Sequence, residues 1–156
     1  MPFLTDFPIF GTRVAGAIYR HRPSAYALVR NDAGLFAVVR TPVACYLPGG
    51  GMEPGETPEQ MIVREGREEC GFVLKPLAQL GRAMEICYSC EEGEYFEKDS
   101  FFIEAVIVGH EAPTELDHEL HWMIAEKAGE ALTHDSHRWA LQRVVRRQVG
   151  AMEPTE

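Results

Sequence analysis

No part of this 156-residue chain approaches the roughly 20 consecutive apolar residues that a membrane-spanning helix requires; its longest apolar runs, as in EAVIVG and GAIY, are strand-sized. The opening stretch MPFLTDFPIF lacks the basic region and long apolar core of a signal peptide, so a cytoplasmic protein without a membrane partner is expected. Basic residues are also short. Fifteen Lys and Arg face 24 Asp and Glu, giving a formal charge of -9. That balance argues against a nucleic acid polymer as partner, because such binding relies on Lys and Arg releasing counterions from phosphates. The four cysteines, Cys45, Cys70, Cys87 and Cys90, are too few and too scattered for a secreted disulfide framework. Cys87 and Cys90 form one C-x-x-C, but a structural zinc site would want a second such pair, and none is present. There is no internal repeat, low-complexity tract or linker. With 46% hydrophobic residues, one globular domain over 1–156 is expected, its core spanning about 13–149.

Strand signals dominate the first third. TRVAGAIYR, AYALVR and LFAVVRT are rich in Val, Ala and aromatics, and turn signals separate them. A helix should begin after Thr57: this residue suits the N-cap, Pro58 the first helical position, and Gln60 the third position of a capping box. It should end near Cys70, because Gly71 can adopt the left-handed conformation that closes many helices. LKPLAQLGRAMEICYS, EYFEKDSFFIEAVIVG and LHWMIAE then read as strands, with at least one of Phe101 and Phe102 in the core. A last helix is expected from about His134 to Val149, with Trp139, Ala140, Leu141, Val144 and Val145 on one face and arginines in solvent. His134 and His137 read as helix-start residues.

The chemistry concentrates between these elements. Glu65, Glu68 and Glu69 stand at i, i+3 and i+4, so three carboxylates share one helical face within a turn. Their mutual repulsion is met only by Arg64 and Arg67, and Arg64 is spaced to orient Glu68. A hard divalent cation would relieve it, since Mg²⁺ prefers carboxylate oxygens and bridges to substrate phosphates. Val63, Gly66 and Cys70 are read as the face packed on the sheet. Gly66 costs about 1 kcal/mol relative to Ala inside a helix, which a close helix-to-sheet approach would offset. Just before the helix, Gly49, Gly50 and Gly51 let backbone approach a metal or phosphate where a side chain would block it.

The order Gly50, Glu56, Arg64-Glu65, Glu68-Glu69, Gly71-Phe72 resembles the Nudix box, the signature of the Nudix hydrolases. Two positions depart from it. Gly66 replaces the usual aliphatic residue, and Met61 stands where a small residue is common. The motif covers residues 50–72, and the looser resemblance extends over 13–149. It implies an α/β fold, an α/β/α sandwich with a mixed β-sheet between helices. It also implies Mg²⁺-dependent (or Mn²⁺-dependent) hydrolysis of a nucleoside diphosphate linked to a group X: a nucleoside triphosphate, a dinucleoside polyphosphate or a nucleotide sugar. A catalytically silent nucleotide-binding or sensor domain is the alternative, although every charged box position is filled. Carried over by position, Glu65, Glu68 and Glu69 are metal ligands, with the Gly50 carbonyl and Glu56 completing or supporting the site, and Arg64 orients the acids. The general base is either a box acid such as Glu65 or an acid in HEAPTELDHELHW, with Glu115 and Glu119 ahead of Glu111. His118 and His121 read as ordinary solvated histidines. Tyr88 resembles a substrate-binding tyrosine of dinucleoside polyphosphate hydrolases. A small nucleotide is the expected partner, and a homodimer is compatible with the sequence.

Overall fold

The computed structural model describes residues 7–152, so the first six and last four residues of the expected domain, and with them most of the leader region considered above, lie outside the described residues. In chain order the elements are β1 (Ile9–Phe10), β2 (Tyr19–Val29), β3 (Phe36–Arg40), β4 (Cys45–Tyr46), β5 (Gly49–Gly51), α1 (Pro58–Cys70), β6 (Phe72–Ser89), β7 (Glu94–His110), β8 (Glu119–Met123), α2 (Ala125–Ala131) and α3 (Asp135–Met152). A five-stranded sheet runs β1-β6-β7-β2-β5, and a three-stranded sheet runs β4-β3-β8. The larger sheet is mixed. β1 with β6 and β7 with β2 are parallel; β6 with β7 and β2 with β5 are antiparallel.

Alternation along β2 builds two cores. Tyr26 and Leu28 face one way, packing with Phe102, Leu132, Leu141 and Val144 against α2 and α3. Ala25, Ala27 and Val29 face the other way, with Met61, Ile62, Phe72 and Leu74 under α1. Helices therefore cover both faces, giving the expected α/β/α sandwich.

Three local expectations change. TRVAGAIYR is not a strand until Tyr19, because Gly11 and Gly16 take positive φ (89° and 79°) and Ala17 turns back to the Val14 carbonyl at 3.2 Å; from Tyr19 it is continuous with AYALVR, since pairing with β7 carries β2 through Arg22, Pro23 and Ser24 where a turn is expected. The LHWMIAE strand stops at Met123, where the helix-favouring AEKAGEA takes over as α2. The buried face of α1 is Met61, Ile62, Gly66 and Glu69; Val63 and Cys70 are only half-buried. Gly66 does make the close approach: a Cβ there would stand 2.6 Å from Leu74 Cδ1. The arginines of α3 stand largely in solvent as expected: Arg143, Arg146 and Arg147 are exposed and Arg138 is half-buried, while Arg143 also donates to the Leu80 carbonyl at 2.8 Å and stacks over Trp139.

Candidate active site

The acid helix is fixed at both ends. Thr57 Oγ1 accepts from the Gln60 amide at 3.1 Å, and Gln60 Oε1 accepts from the Thr57 amide at 3.0 Å, the reciprocal cap that the sequence predicts. At the other end Gly71 is left-handed (φ 68°) and its amide returns to the Arg67 carbonyl at 3.0 Å. The segment between β7 and β8 then straps across this terminus. Glu111 donates its amide to Gly71 O at 2.7 Å, and the amides of Thr114 and Glu115 both donate to Glu68 O, at 3.0 and 2.9 Å. Helix termini leave carbonyls without intrahelical partners, and the strap satisfies them. Gly71 also makes the approach sterically feasible, since a Cβ there would meet Glu111 O at 2.1 Å.

The strap delivers Glu115 to the helix acids. Carboxylate oxygens of Glu65, Glu68 and Glu115 lie within 4.8 Å of one another, and a second group of the same tightness joins Glu69, Glu115 and His118. Arg64 spans the cluster. It donates to Glu56 at 2.8 and 3.0 Å, to Glu65 at 2.9 Å, to Glu68 at 3.3 Å and to the Gly51 carbonyl at 3.4 Å. The glycine strand closes the other side. Gly49 donates its amide to Glu69 Oε1 at 2.8 Å, and a Cβ on Gly50 would stand 3.9 Å from Glu65 Oε1.

One guanidinium does not balance this charge. Burial, reinforced by the Glu115 charge, pushes the Glu65 carboxyl up to about 7 despite Arg64. Glu69 rises further, to about 9, chiefly through burial and partly offset by the Gly49 amide. Glu56, in contrast, is held below the usual carboxylate range by its hydrogen bonds from Arg64. An arrangement that raises two of its acids this far, Glu69 well above neutral and Glu65 to about neutral, is short of positive charge. Oxygen donors from Glu65, Glu68 and Glu115, with the Glu69 carboxylate flanking them, fit a hard divalent cation, and His118 adds one ring nitrogen at the side.

The structure draws Glu56, Glu65, Glu68, Glu69, Glu115, Arg64 and the three glycines together, and leaves Glu119 and Tyr88 apart. Glu119 has a side chain 73% exposed and pairs with His121 at 3.3 Å, away from the helix acids. Tyr88 is 51% exposed beside Tyr95, in a neighbouring hollow. His118 is not the solvated histidine that the sequence suggests: half-buried, it holds Nε2 3.5 Å from Glu69 Oε2 and Nδ1 3.2 Å from Glu115 Oε2 and 2.9 Å from Asp117 Oδ1. Its only signal in the sequence is its place three residues after Glu115. His137 is fully buried, accepting the Leu47 amide at 3.2 Å on Nδ1. Cys87 and Cys90 are free thiols and belong to no metal-ligating group found among the described residues.

Fold and acid helix together define an α/β/α protein of the Nudix type. The model of the NUDIX domain matches residues 20–146, and the chain belongs to this family of hydrolases. Solved structures agree. A NUDIX hydrolase from Nitrosomonas europaea is 15% identical, with TM-score 0.63 over 87% of this chain and 98% of its own. A MutT NUDIX hydrolase from Burkholderia pseudomallei is 26% identical, with TM-score 0.56 over 80% and 98%. An Ap4A hydrolase from C. elegans is 18% identical, with TM-score 0.62 over 83% and 98%. No curated protein sequence matches the chain. Among the described residues, no helix is long and apolar enough to cross a membrane.

Proposed function

We propose that this protein hydrolyses the pyrophosphate linkage of a nucleoside diphosphate joined to a second group X, with Mg²⁺ as cofactor and Mn²⁺ able to replace it. The observation that carries this reading is the convergence of Glu65, Glu68 and Glu115 oxygens within 4.8 Å beneath a glycine strand. When bound there, a divalent cation supplies neutralisation of the pyrophosphate charge and acidification of water. Glu65, Glu68 and Glu69 would hold it, with the Gly50 carbonyl beside them. Arg64, anchored on Glu56, keeps the carboxylates from turning away. Gly49, Gly50 and Gly51 admit a phosphate close to the backbone.

Glu115 is the proton acceptor we favour. It reaches the cluster from a different segment, with His118 at 3.2 Å to orient it. Glu119 is left at the rim. Tyr88 lines a hollow next to the site and is the residue we place against the far end of the substrate. We also read residues 1–156 as one domain, supported by helices on both faces of a common sheet.

The test is a panel of nucleoside triphosphates, dinucleoside polyphosphates and nucleotide sugars incubated with Mg²⁺ in ¹⁸O-water. Cleavage of at least one compound at a P-O-P linkage, with label on a phosphate product, is expected. Tight Mg²⁺-dependent binding with no cleavage of any compound would replace this reading with that of a silent nucleotide-binding domain.

A further inference from the structure

Beyond the acids, the cavity under the glycine strand continues. About 280 Å³ in volume, it is lined by Gly49, Glu69 and His118 together with Tyr46, Glu91 and Lys98. Tyr46 and Lys98 also line a second hollow of about 240 Å³, with Cys87, Tyr88 and His134. Lys98 thus stands where the two spaces meet.

Its strand neighbours are already engaged. In register with Lys98 are Arg22 on β2 and Glu85 on β6. Arg22 forks onto Glu92 at 3.2 and 2.9 Å and lies over the Phe96 ring at 4.0 Å. Glu85 accepts the Ser136 amide at 2.9 Å, at the start of α3. Lys98 itself forms no ion pair among the described residues; its ammonium lies 5.6 Å from the centre of the Tyr46 ring. Burial weakens its hold on its proton. The nearby Glu85 and Glu92 carboxylates offset its desolvation only in part, each being hydrogen-bonded elsewhere, and a phosphate oxygen in contact with the ammonium offsets that cost far better than a neutral acceptor does. Arg22 being paired, Lys98 is the cavity-lining cation that makes no ion pair among the described residues, in a cavity that also reaches Glu69 of the acid helix.

We propose that Lys98 binds a phosphoryl group of the X moiety, so that the site selects substrates in which X carries phosphate, nucleoside triphosphates and dinucleoside polyphosphates, over nucleotide sugars with an uncharged X. This rests on the pyrophosphohydrolase reading for its kinetics but not for its binding. Tyr46 shields one side of the ammonium. His134, whose Nε2 is buried without a partner, lines the same hollow as a neutral ring, since burial lowers its pKa to about 4.

The experiment compares the wild-type protein with Lys98→Met and Lys98→Arg. In kinetics, the ratio of kcat/KM for a nucleoside triphosphate to that for a nucleotide sugar should fall by about tenfold or more in Lys98→Met, mainly through KM, and largely recover in Lys98→Arg. In calorimetry, inorganic imidodiphosphate, whose P-N-P bridge resists cleavage, is titrated into the Mg²⁺-loaded proteins. Affinity should drop by about tenfold in Lys98→Met and be kept in Lys98→Arg. An unchanged ratio, or equal imidodiphosphate affinity in wild type and Lys98→Met, overturns the assignment. If the wild type cleaves nothing, the hydrolase reading fails and calorimetry alone decides on Lys98; no measurable imidodiphosphate binding by the wild type would likewise overturn it. A thermal melt of Lys98→Met matching wild type shows that any loss is local.

Discussion

Gly49 donates its amide to one carboxylate oxygen of Glu69 over 2.8 Å, while His118 stands 3.5 Å from the other oxygen. This pairing joins the glycine strand to the last turn of the acid helix. It also requires a glycine: φ at Gly49 is +148°, and a Cβ there would lie 2.1 Å from the Ala25 carbonyl oxygen.

Glu69 makes stability depend on pH when no cation is present. Its folded-state pKa, about 9, lies above the ordinary value of 4.5, so folding favours the protonated acid. The contribution is full below the unfolded value and is lost as pH rises toward the folded one. Glu65, raised to about 7, acts in the same direction. In chelator the protein should therefore lose about 1 to 3 kcal/mol of stability between about pH 6 and pH 8, and Mg²⁺ should restore more at the higher pH. Glu69→Gln should flatten the slope. Urea unfolding at both pH values checks this, and a slope that is flat in the wild type would contradict it.

Arg64 should not be replaceable by lysine. Its guanidinium holds Glu56 with two nitrogens while also reaching Glu65 and Glu68, a geometry that a single ammonium cannot reproduce. Arg64→Lys should retain the fold, lower kcat/KM by about tenfold or more and raise the Mg²⁺ concentration needed for half-maximal rate. Wild-type Mg²⁺ dependence in this variant would remove Arg64 from its orienting role.

Glu115 and Glu119 are separated by geometry that turnover and metal affinity, measured apart, can read. Glu115→Gln should lower kcat by about 10²-fold or more, the usual worth of positioned proton transfer, while leaving Mg²⁺ affinity unchanged. Glu119→Gln, out at the rim, should change kcat less than about twofold. Comparable losses in both variants would mean that the strap reorganises when substrate binds.

The contact between Gly66 and Leu74 predicts a change of sign. Gly66→Ala alone should destabilise by about 1 to 3 kcal/mol, because its Cβ intrudes on a well-packed leucine. In a Leu74→Ala background the same substitution should stabilise by about 0.5 to 1 kcal/mol, the helix-propensity gain. Chemical denaturation of the four proteins tests it, and additive effects would show that the close approach does not explain the glycine.

The sequence by itself determined the acid helix and its limits. Thr57, Pro58, Gln60 and Gly71 act through the nearest turns of backbone, and spacing alone places Glu65, Glu68 and Glu69 together on one turn. β6, β7 and α3 were legible for the same reason, as periodic patterns set by their own residues, whereas the turn signal at Arg22-Pro23-Ser24 is overridden by pairing with β7 and lies inside the single strand β2. Local information failed at 11–18, where Gly11 and Gly16 let the chain turn despite apolar content, and at Ala125, where strand and helix propensities meet.

Only the tertiary structure chose between Glu115 and Glu119, and brought His118 into the site. Both acids belong to one polar segment, and nothing in their immediate neighbours distinguishes them. The choice came from the unsatisfied carbonyls at the end of α1. By accepting the Thr114 and Glu115 amides, Glu68 O fixes the strap in the register that turns Glu115 inward. The buried face of α1 was settled in the same non-local way. Helical spacing gave the relative angles of Met61, Ile62, Gly66 and Glu69, but the sheet beneath decided that this arc, with one of its acids, would be buried.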